Sequence, residues 1–457
     1  MCGIFGYIGK EKASEITALG LFILQHRGQE SCGIAVSDGE KLTLIKEMGY
    51  VKEVLYQERI EKLDGFAAIG HVRYPTRGTP NLANSQPHLI ETLNGPAYAF
   101  ASNGDIVNYK TLRKEYEKKQ IFFHSDNDGE LIGKMLVYKL EREGKKIIDA
   151  VKEIMEEVKG AYSALFLTKN RIYAFRDPWG FRPMIFGRTE GGFAIGSESV
   201  AMDIIRAKEW REVEPAELLI ISQEGAESVK YDEEVLRKGR KTPAHCSFEI
   251  IYFARPDSYQ YRQFVHEKRM QLGEKLAEKD NIKADAVVPV PDSSNFMALG
   301  YSKKTGIPLC FGLIRSHYIG RTFIKPSQSI RDESVRQKFN PLYRFFHGKK
   351  IILVDDSIVR GTTIRKIVRM IKGAGAKEVH VRIASPPVKF PCYYGIDTPT
   401  YEELIANKMN IEEIRKFIEA DSLMYLTVEE LQEVLDSPEN FCYACFNGDY
   451  PVLEGKK

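Results

Sequence analysis

The chain has 457 residues, and its 66 Lys and Arg nearly balance its 63 Asp and Glu, which leaves a formal net charge of +3. This balance argues against a nucleic-acid coat or a membrane-surface protein. No apolar run approaches the roughly 20 residues that cross a bilayer, and the N-terminus lacks the pattern of a secretory signal, so we expect a cytoplasmic protein that binds neither nucleic acid nor membrane.

The first half of the chain, to about Tyr231, predicts an α+β domain. Short alternating stretches such as Ala97–Ala101 and Ala161–Leu167 are typical of strands joined by Gly-containing turns. Two helical stretches, Ser14–His26 and Gly129–Glu143, interrupt them. This pattern favours antiparallel sheets with helices packed against them.

The second half changes to strand–loop–helix units after the basic segment Arg237–Lys241, which predicts a domain edge. The predicted units are the strand Ala286–Val290, the helix Asn295–Thr305, the strand Lys350–Val354, the helix Thr363–Lys372 and the strand Val379–Ala384. Such alternation indicates a parallel, doubly wound sheet. We therefore predict two domains, 1–240 and 241–457, and a C-terminal helical appendage over about 400–435.

The second residue is a candidate nucleophile. The chain opens Met1-Cys2-Gly3, and removal of Met1 would give Cys2 a thiol and a free α-amine on one residue. The amine has an ordinary pKa near about 8, so its neutral form can accept the thiol proton. Taken alone, Cys2 fits a small buried core residue equally well.

Further residues complete a set suited to hydrolysing the amide of a free amino acid. Arg73 follows an apolar stretch, and arginine grips a carboxylate with two hydrogen bonds. Asn103 beside Gly104 offers an amide and a backbone N–H to an oxyanion. Asp128 suits an amino-acid ammonium group.

The segment from Lys350 to Thr363 predicts a phosphate site. An apolar strand ends in Asp355-Asp356, and a loop with Gly361-Thr362-Thr363 then begins a helix. Backbone N–H groups of such a loop cradle phosphates, and the acids suit ribose hydroxyls and a magnesium ion. Neither G-x-G-x-x-G nor G-K-[ST] occurs here, and the structural alternative is an ordinary acidic turn after a parallel strand.

Seven cysteines do not form an evident disulfide framework. Cys442 and Cys445 form a C-x-x-C pair, which alone fits structural zinc, a redox pair or chance. Cys246 and Cys392 are distant in sequence, so only the fold can bring them to that pair. Cys32 and Cys310 lie in apolar surroundings, and we interpret them as core residues.

Together these motifs resemble the glutamine phosphoribosyl pyrophosphate (PRPP) amidotransferases, or amidophosphoribosyltransferases, from Cys2 to about Pro451. The resemblance implies an N-terminal-nucleophile αββα sandwich followed by an α/β phosphoribosyltransferase domain. It implies conversion of glutamine, PRPP and water into 5-phosphoribosylamine, glutamate and pyrophosphate, with internal ammonia transfer, at the first committed step of purine biosynthesis. It also implies a homo-oligomer, a tetramer in the family, and feedback inhibition by purine nucleotides.

The resemblance assigns roles residue by residue. Cys2 is the nucleophile, with Asn103 and Gly104 as the oxyanion hole and with Arg73 and Asp128 binding glutamine. The PRPP-binding residues are Lys325, Lys338, Asp355, Asp356, Ser357, Arg360, Gly361, Thr362 and Thr363. One Mg²⁺ per subunit is implied at Ser293, Asp355 and Asp356. In one branch a [4Fe–4S] cluster, one per subunit, is held by Cys246, Cys392, Cys442 and Cys445, although physics permits zinc equally well.

Some positions depart from the family pattern, and two alternatives stay open. Ser102 stands where a histidine is usual, and the extra acid Asp126 competes with Asp128 for the ammonium role. A related amidotransferase, such as a glucosamine-phosphate or asparagine synthetase, would share Cys2 but lack Asp355-Asp356. A PRPP-sensing regulatory protein would not need Cys2 and Arg73.

Overall fold

The first half of this computed structural model, which describes residues 1–74, 79–92, 95–316, 338–398 and 400–453, is built on two antiparallel sheets. The seven strands of the first sheet are, in spatial order, Glu209–Glu212, Ile185–Arg188, Gly192–Gly196, Gly3–Gly9, Ala67–Arg73, Ser31–Ser37 and Leu42–Met48. The six strands of the second are Ala226–Lys230, Glu217–Ile221, Ile172–Arg176, Gly160–Leu167, Gly95–Ile106 and His88–Thr92.

Apolar residues on alternate faces of these strands build three packed layers of core. Ile4 and Leu165 belong to the core between the two sheets. Their neighbours Phe5 and Phe166 face outward and pack under helices on either side, because successive strand residues point to opposite faces. The helices of this half are Ala13–Ile23, Val51–Val54, Gln57–Ile60, Tyr109–Lys118, Asp128–Glu141, Ile147–Glu157, Val200–Ile204 and Glu233–Leu236. The predicted αββα sandwich is confirmed.

The second half contains a four-stranded parallel sheet, as predicted. Its strands are, in spatial order, Ala286–Pro289, Lys350–Asp355, Glu378–Ile383 and Ser422–Tyr425. Its helices are Val265–Glu278, Asn295–Thr305, Tyr343–Phe346, Thr362–Gly373, Ile405–Lys408, Ile411–Ile418, Val428–Val434 and Ala444–Asn447. Three further strand pairs are short: His245–Cys246 with Phe441–Cys442, Tyr259–Gln260 with Gln263–Phe264, and Leu313–Arg315 with Phe339–Pro341.

The prediction of a helical appendage over about 400–435 is wrong in one respect. Ser422–Tyr425 forms the fourth strand of the parallel sheet, between helices capped by Asn410 and Thr427. Four residues are too few to show strand alternation, so the helical periodicity on either side masked them. Among the described helices, none is long and apolar enough to cross a membrane.

Residues far apart in sequence meet both within and between the two halves. Within the second half, His245–Cys246 pairs in parallel with Phe441–Cys442, which sets Cys246 opposite Cys442. Tyr74, at the end of a strand of the first half, donates its hydroxyl to Asp397 over 3.2 Å. The first half is therefore tied directly to the C-terminal part of the chain.

Candidate functional site

Cys2 is buried immediately before the central strand Gly3–Gly9. Its Sγ lies 3.5 Å from both the backbone nitrogen and the carbonyl oxygen of Tyr74. Burial raises the pKa of the Cys2 thiol, while the charged chain terminus, the Tyr74 backbone and Arg73 lower it. Met1 still precedes Cys2 and is itself buried, so the nitrogen of Cys2 is here a peptide N–H.

Asn103 presents an unused donor beside Cys2. Its Oδ1 accepts the Cys2 N–H over 3.1 Å, and its buried Nδ2 has no hydrogen-bond partner among the described residues. An unpaired buried donor is costly, so it fits an acceptor that arrives with a ligand. Gln86 steadies this strand, because its Oε1 accepts the Ser102 N–H over 2.7 Å. At Gly104 (φ +153°), a Cβ would lie 1.9 Å from the Ala161 carbonyl oxygen, so only glycine fits.

The two predicted glutamine-binding charges are both buried near Cys2. Arg73 forms an ion pair with Glu30, and Asp128 begins the helix Asp128–Glu141. Burial has the largest effect on the pKa of the Cys2 thiol, but Arg73 also lowers this pKa and Asp128 raises it. Both charges are therefore close enough to the thiol to interact with it electrostatically. The side chain of Asp126 is 70% exposed and pairs with Arg113, so Asp128 is the acid that faces the interior.

The two acids of the predicted phosphate site are buried at the end of the strand Lys350–Asp355. Ser293 and Ser357 donate their hydroxyls to the two Asp356 oxygens over 2.5 and 2.6 Å. Burial and the neighbouring Asp356 raise the pKa of Asp355, and Lys338 opposes this shift. The structure thus brings Ser293, Lys338 and both acids together.

The loop after these acids turns sharply into a helix. Gly361 has φ +76°, and a Cβ there would lie 2.7 Å from Ile405 Cδ1, so the turn favours glycine. The helix Thr362–Gly373 begins with Thr362 and Thr363 exposed and with no acidic residue in its first turn. Arg360 is exposed and pairs with Glu403. Lys325 lies outside the described residues.

The four predicted cluster cysteines come together. Cys246, Cys392, Cys442 and Cys445 line one cavity of about 20 Å³, together with Arg182 and Tyr394. Burial raises the pKa of Cys246 to about 11 and raises those of Cys442 and Cys445 further. Within the described ranges, no group of three or more His, Cys, Asp or Glu side chains is placed to hold a metal ion.

The remaining cysteines differ from each other. Cys32 is fully buried in the core of the first half, as expected. Cys310 is only partly buried, so its interpretation as a core residue is wrong: it lies at the edge of the apolar core rather than inside it.

Known proteins match this chain over nearly its full length. A family model described as a glutamine amidotransferase domain matches residues 80–203, and a phosphoribosyl transferase domain model matches 263–385. The chloroplastic amidophosphoribosyltransferase of Glycine max is 45% identical over 99% of this chain and 78% of its own length. The amidophosphoribosyltransferase of Methanocaldococcus jannaschii is 43% identical over 99% and 98%. The chain belongs to the amidophosphoribosyltransferase family.

A solved structure agrees with this assignment. The glutamine PRPP amidotransferase of Bacillus subtilis, in complex with ADP and GMP, superposes with a TM-score of 0.90 at 42% identity, covering 100% of this chain and 98% of the other. This amidophosphoribosyltransferase therefore converts glutamine, PRPP and water into 5-phosphoribosylamine, glutamate and pyrophosphate, the first step of purine biosynthesis. The family and the activity predicted from the sequence are confirmed, and the two alternative functions are wrong.

Several residues to which the sequence assigned no role support the candidate site of this amidophosphoribosyltransferase. Glu30 pairs with Arg73, Gln86 holds the strand before Asn103, and Arg27 donates to the Cys2 carbonyl over 2.9 Å. Glu198 accepts from His26 over 2.7 Å and also pairs with Arg27. Although burial opposes it, His26 and Arg27 lower the pKa of Glu198. The sequence signal that could have identified these residues is their polarity within otherwise apolar, glycine-rich motifs.

Proposed function

We propose that Cys2 releases ammonia from glutamine in a glutaminase domain, residues 1–240, and that PRPP receives it in a second domain, residues 241–457. The Asn103 amide is the observation that supports this most directly. Its oxygen accepts from the Cys2 nitrogen, and its buried Nδ2 has no partner among the described residues, so this amide can donate to an oxyanion that forms at Cys2.

The first half-reaction uses groups around Cys2. Removal of Met1 turns the nitrogen that now donates to Asn103 into an α-amine, which takes the thiol proton. The thiolate attacks the side-chain amide carbon of glutamine, and Asn103 Nδ2 and the Gly104 N–H stabilise the oxyanion. The C–N bond breaks as the amine returns a proton, which leaves a thioester and ammonia. Water then releases glutamate from the thioester. Arg73 binds the α-carboxylate and Asp128 the ammonium group.

Ammonia then moves through the interior. Phe253, whose ring packs edge-on against Tyr74 beside Cys2, belongs to the same apolar core as Ile250 and as Val354, which precedes Asp355. An apolar interior excludes the ammonium ion, because burying an unpaired charge is very costly, but it tolerates neutral ammonia. Such a route keeps ammonia unprotonated until it reaches PRPP.

The second half-reaction takes place at the strand end beside Asp355. The Asp355 and Asp356 carboxylates accept the ribose hydroxyls, and the Gly361 turn with Ser357, Arg360, Thr362 and Thr363 binds the 5-phosphate. Lys325 and Lys338 contact the pyrophosphate. Ammonia attacks C1 of the ribose, and pyrophosphate leaves with the electron pair of the C1–O bond.

The oxygen donors at this strand end fit magnesium. Mg²⁺ takes one or two carboxylates and fills its other positions with water and substrate phosphates, so Asp355, Asp356 and the Ser293 hydroxyl suffice. When bound, one Mg²⁺ per subunit neutralises charge on the departing pyrophosphate.

The proposal predicts tight coupling of two products. Purified protein given glutamine, PRPP and Mg²⁺ should release glutamate and pyrophosphate at equal rates, because one ammonia links the two steps. Parallel assays of both products test this. Release of glutamate without pyrophosphate would contradict internal transfer, and release of pyrophosphate only on adding ammonium would contradict the role of Cys2.

The four-cysteine cavity suits a multinuclear cluster. Four thiols from three distant segments line this one cavity, and cysteine thiolates are the usual ligands of iron–sulfur clusters. We assign a [4Fe–4S] cluster, one per subunit, to Cys246, Cys392, Cys442 and Cys445. The cluster would act structurally, because these cysteines cross-link the strand pair and the segment before Asp397.

Protein isolated without oxygen should be brown and contain about four irons per chain. Replacing Cys442 by alanine should remove the iron and lower the melting temperature, because a bound metal site contributes folding free energy. The control Cys310→Ala should keep the iron, since Cys310 is not at this cavity. Metal analysis that finds one zinc and no iron would reject the cluster and leave the reaction unaffected.

The assembly and regulation follow the family. The Bacillus subtilis relative was solved with ADP and GMP, and we assign purine nucleotides as feedback inhibitors of this chain as well. We also propose a homotetramer located in the cytoplasm.

A further inference from the structure

Residues 392–398, in the second half of the chain, form a loop that closes on itself. The Cys392 N–H donates to the Thr398 carbonyl over 3.0 Å, and the Thr398 N–H donates to the Ile396 carbonyl over 2.8 Å. The Tyr394 N–H donates to the Cys392 Sγ over 3.4 Å. These bonds give the residues between them a defined backbone path.

Arg182, from the first half of the chain, holds this loop at Tyr394. The Arg182 side chain is fully buried, and its Nε and Nη2 both donate to the Tyr394 carbonyl, Nε over 3.0 Å. The Tyr394 ring stacks on Phe181 with ring centroids 4.2 Å apart, and its hydroxyl donates to the Val452 carbonyl over 2.5 Å. The peptide bond between Tyr394 and Gly395 is therefore fixed through both its carbonyl and the neighbouring side chain.

Gly395 lies against the backbone of Gly104, the second residue of the proposed oxyanion hole. A Cβ at Gly395 would lie 3.1 Å from the Gly104 carbonyl carbon, 3.2 Å from the Gly104 carbonyl oxygen and 3.3 Å from Arg182 Nη2. Gly395 also has φ +106°, a backbone conformation that favours glycine. A glycine at this position is therefore what allows the loop to approach Gly104 so closely.

Gly104 depends on its neighbours for its orientation. Glycine has a conformationally permissive backbone and no side chain of its own to pack. The Ala161 carbonyl oxygen approaches Gly104 from the adjacent strand Gly160–Leu167, and Gly395 approaches the Gly104 carbonyl group. An oxyanion hole is effective because its donors are fixed before charge develops on the substrate. The contact with Gly395 supplies part of that fixation.

We propose that Gly395 is a positioning residue for the oxyanion hole, and that its loop holds the Gly104 backbone so that the Gly104 N–H points at the oxyanion. Gly395 does not touch glutamine in this scheme, because it acts through Gly104. Arg182 supports the same arrangement by holding the Tyr394 carbonyl directly before Gly395. The inference rests on the proposed function, because it takes Gly104 as a donor to the oxyanion that forms at Cys2.

The variant Gly395→Ala tests this role. Its Cβ would displace the Gly104 backbone by a few tenths of an ångström. A displaced N–H weakens stabilisation of the transition state more than it weakens binding of glutamine. With PRPP and Mg²⁺ present, kcat for glutamate release should therefore fall about tenfold or more, while KM for glutamine stays within about twofold. Ammonia-dependent synthesis should also stay within about twofold, because it does not use the oxyanion hole.

The variant Gly448→Ala is the matched control. Gly448 also has a positive φ, +78°, but a Cβ there would lie 3.0 Å from the Phe390 ring instead of near Gly104. Gly448 directly follows the helix Ala444–Asn447, which carries Cys445, so this variant introduces similar strain close to the cysteines. Its kcat and KM should match those of the wild type. An equal fall of kcat in this control would overturn the inference, because strain without contact to Gly104 would then explain the effect.

Three outcomes in Gly395→Ala itself would also overturn the inference. The first is a wild-type kcat, and the second is a raised KM at unchanged kcat, which would mark a role in binding alone. The third is an equal loss of glutamate release and of ammonia-dependent synthesis, which would mark a purely structural role.

A second variant guards against misfolding. If Gly395→Ala does not fold, Arg182→Lys should show the same selective fall of kcat, and a normal kcat in Arg182→Lys overturns the inference. Lysine keeps the charge that lies 3.6 Å from Glu249 but lacks the planar fork that donates twice to the Tyr394 carbonyl. Wild-type protein that releases no glutamate would reject the proposed function, whereas an active wild type with an equally active Gly395→Ala protein would reject only this inference.

Discussion

Replacing Cys2 by alanine will abolish glutamine-dependent synthesis, by on the order of 10⁴-fold or more, as when an essential nucleophile is removed. Ammonia-dependent synthesis will persist, because none of the groups at Asp355 and Asp356 contacts the Cys2 sulfur. Neutral ammonia increases about tenfold for each pH unit below its own pKa, so this residual activity should rise with pH. Synthesis is assayed with glutamine and with ammonium across that pH range.

The matched control is Cys32→Ala. Cys32 is buried in a strand of the same sheet, opposite Val72, so its loss tests the effect of removing a thiol from this core. This variant should retain glutamine-dependent activity. Full glutamine-dependent activity in Cys2→Ala would mean that another residue is the nucleophile. Loss of the ammonia reaction in a folded Cys2→Ala protein would reject the two-site scheme.

The double variant Asp355→Asn, Asp356→Asn will lose synthesis with either nitrogen donor, by about 10³-fold, since the metal-assisted stabilisation that these acids support is worth several kcal/mol. Its melting temperature should not fall. Burial raises the pKa of both acids, so at neutral pH their charged forms oppose folding, and the amides remove that charge. Rates of phosphoribosylamine synthesis and a thermal unfolding curve measure the two effects.

Asp285→Asn is the control for this pair. Asp285 accepts the Lys350 N–H over 2.8 Å at the opposite end of the same strand. It should keep synthesis near the wild-type rate. Phosphoribosylamine formation by the double variant at the wild-type rate would contradict the assignment of the PRPP site, and a lowered melting temperature would contradict the argument on charge.

The secondary structure could be predicted from the sequence wherever the local residue pattern determines the element. Alternating strands predicted the antiparallel sheets of the first half, and the strand–loop–helix units predicted the parallel sheet of the second. The helix Asn295–Thr305 was predicted to the residue. The acids after Val354 and the glycine at 361 led to the prediction of a phosphate site, because acids at a strand end and a glycine in a turn can be recognised from neighbouring residues alone. The strand Ser422–Tyr425 was missed because four residues are too few to show the alternation of a strand.

Contacts across the fold could not be predicted in the same way. Nothing local indicates that Glu249 meets Arg27, that Gln86 accepts from Ser102, or that Arg269 donates to the Ile250 carbonyl. These side chains are buried charges and amides whose partners come from other segments. A single sequence shows that such groups exist, but only the three-dimensional arrangement shows with which partners they pair.

The strand pair that sets Cys246 opposite Cys442 affects when the protein can complete its fold during synthesis. Domains generally fold as units from the N-terminal end while synthesis continues. Here Arg27 cannot form its ion pair until Glu249 is synthesised, and Tyr74 cannot donate until Asp397 is present. The strand at Cys246 pairs with a strand almost 200 residues later in the chain. A ribosome-bound chain that ends before Phe441 therefore contains Cys2 but lacks part of its surroundings. The proposed glutamine site is complete only after the proposed PRPP domain has been synthesised.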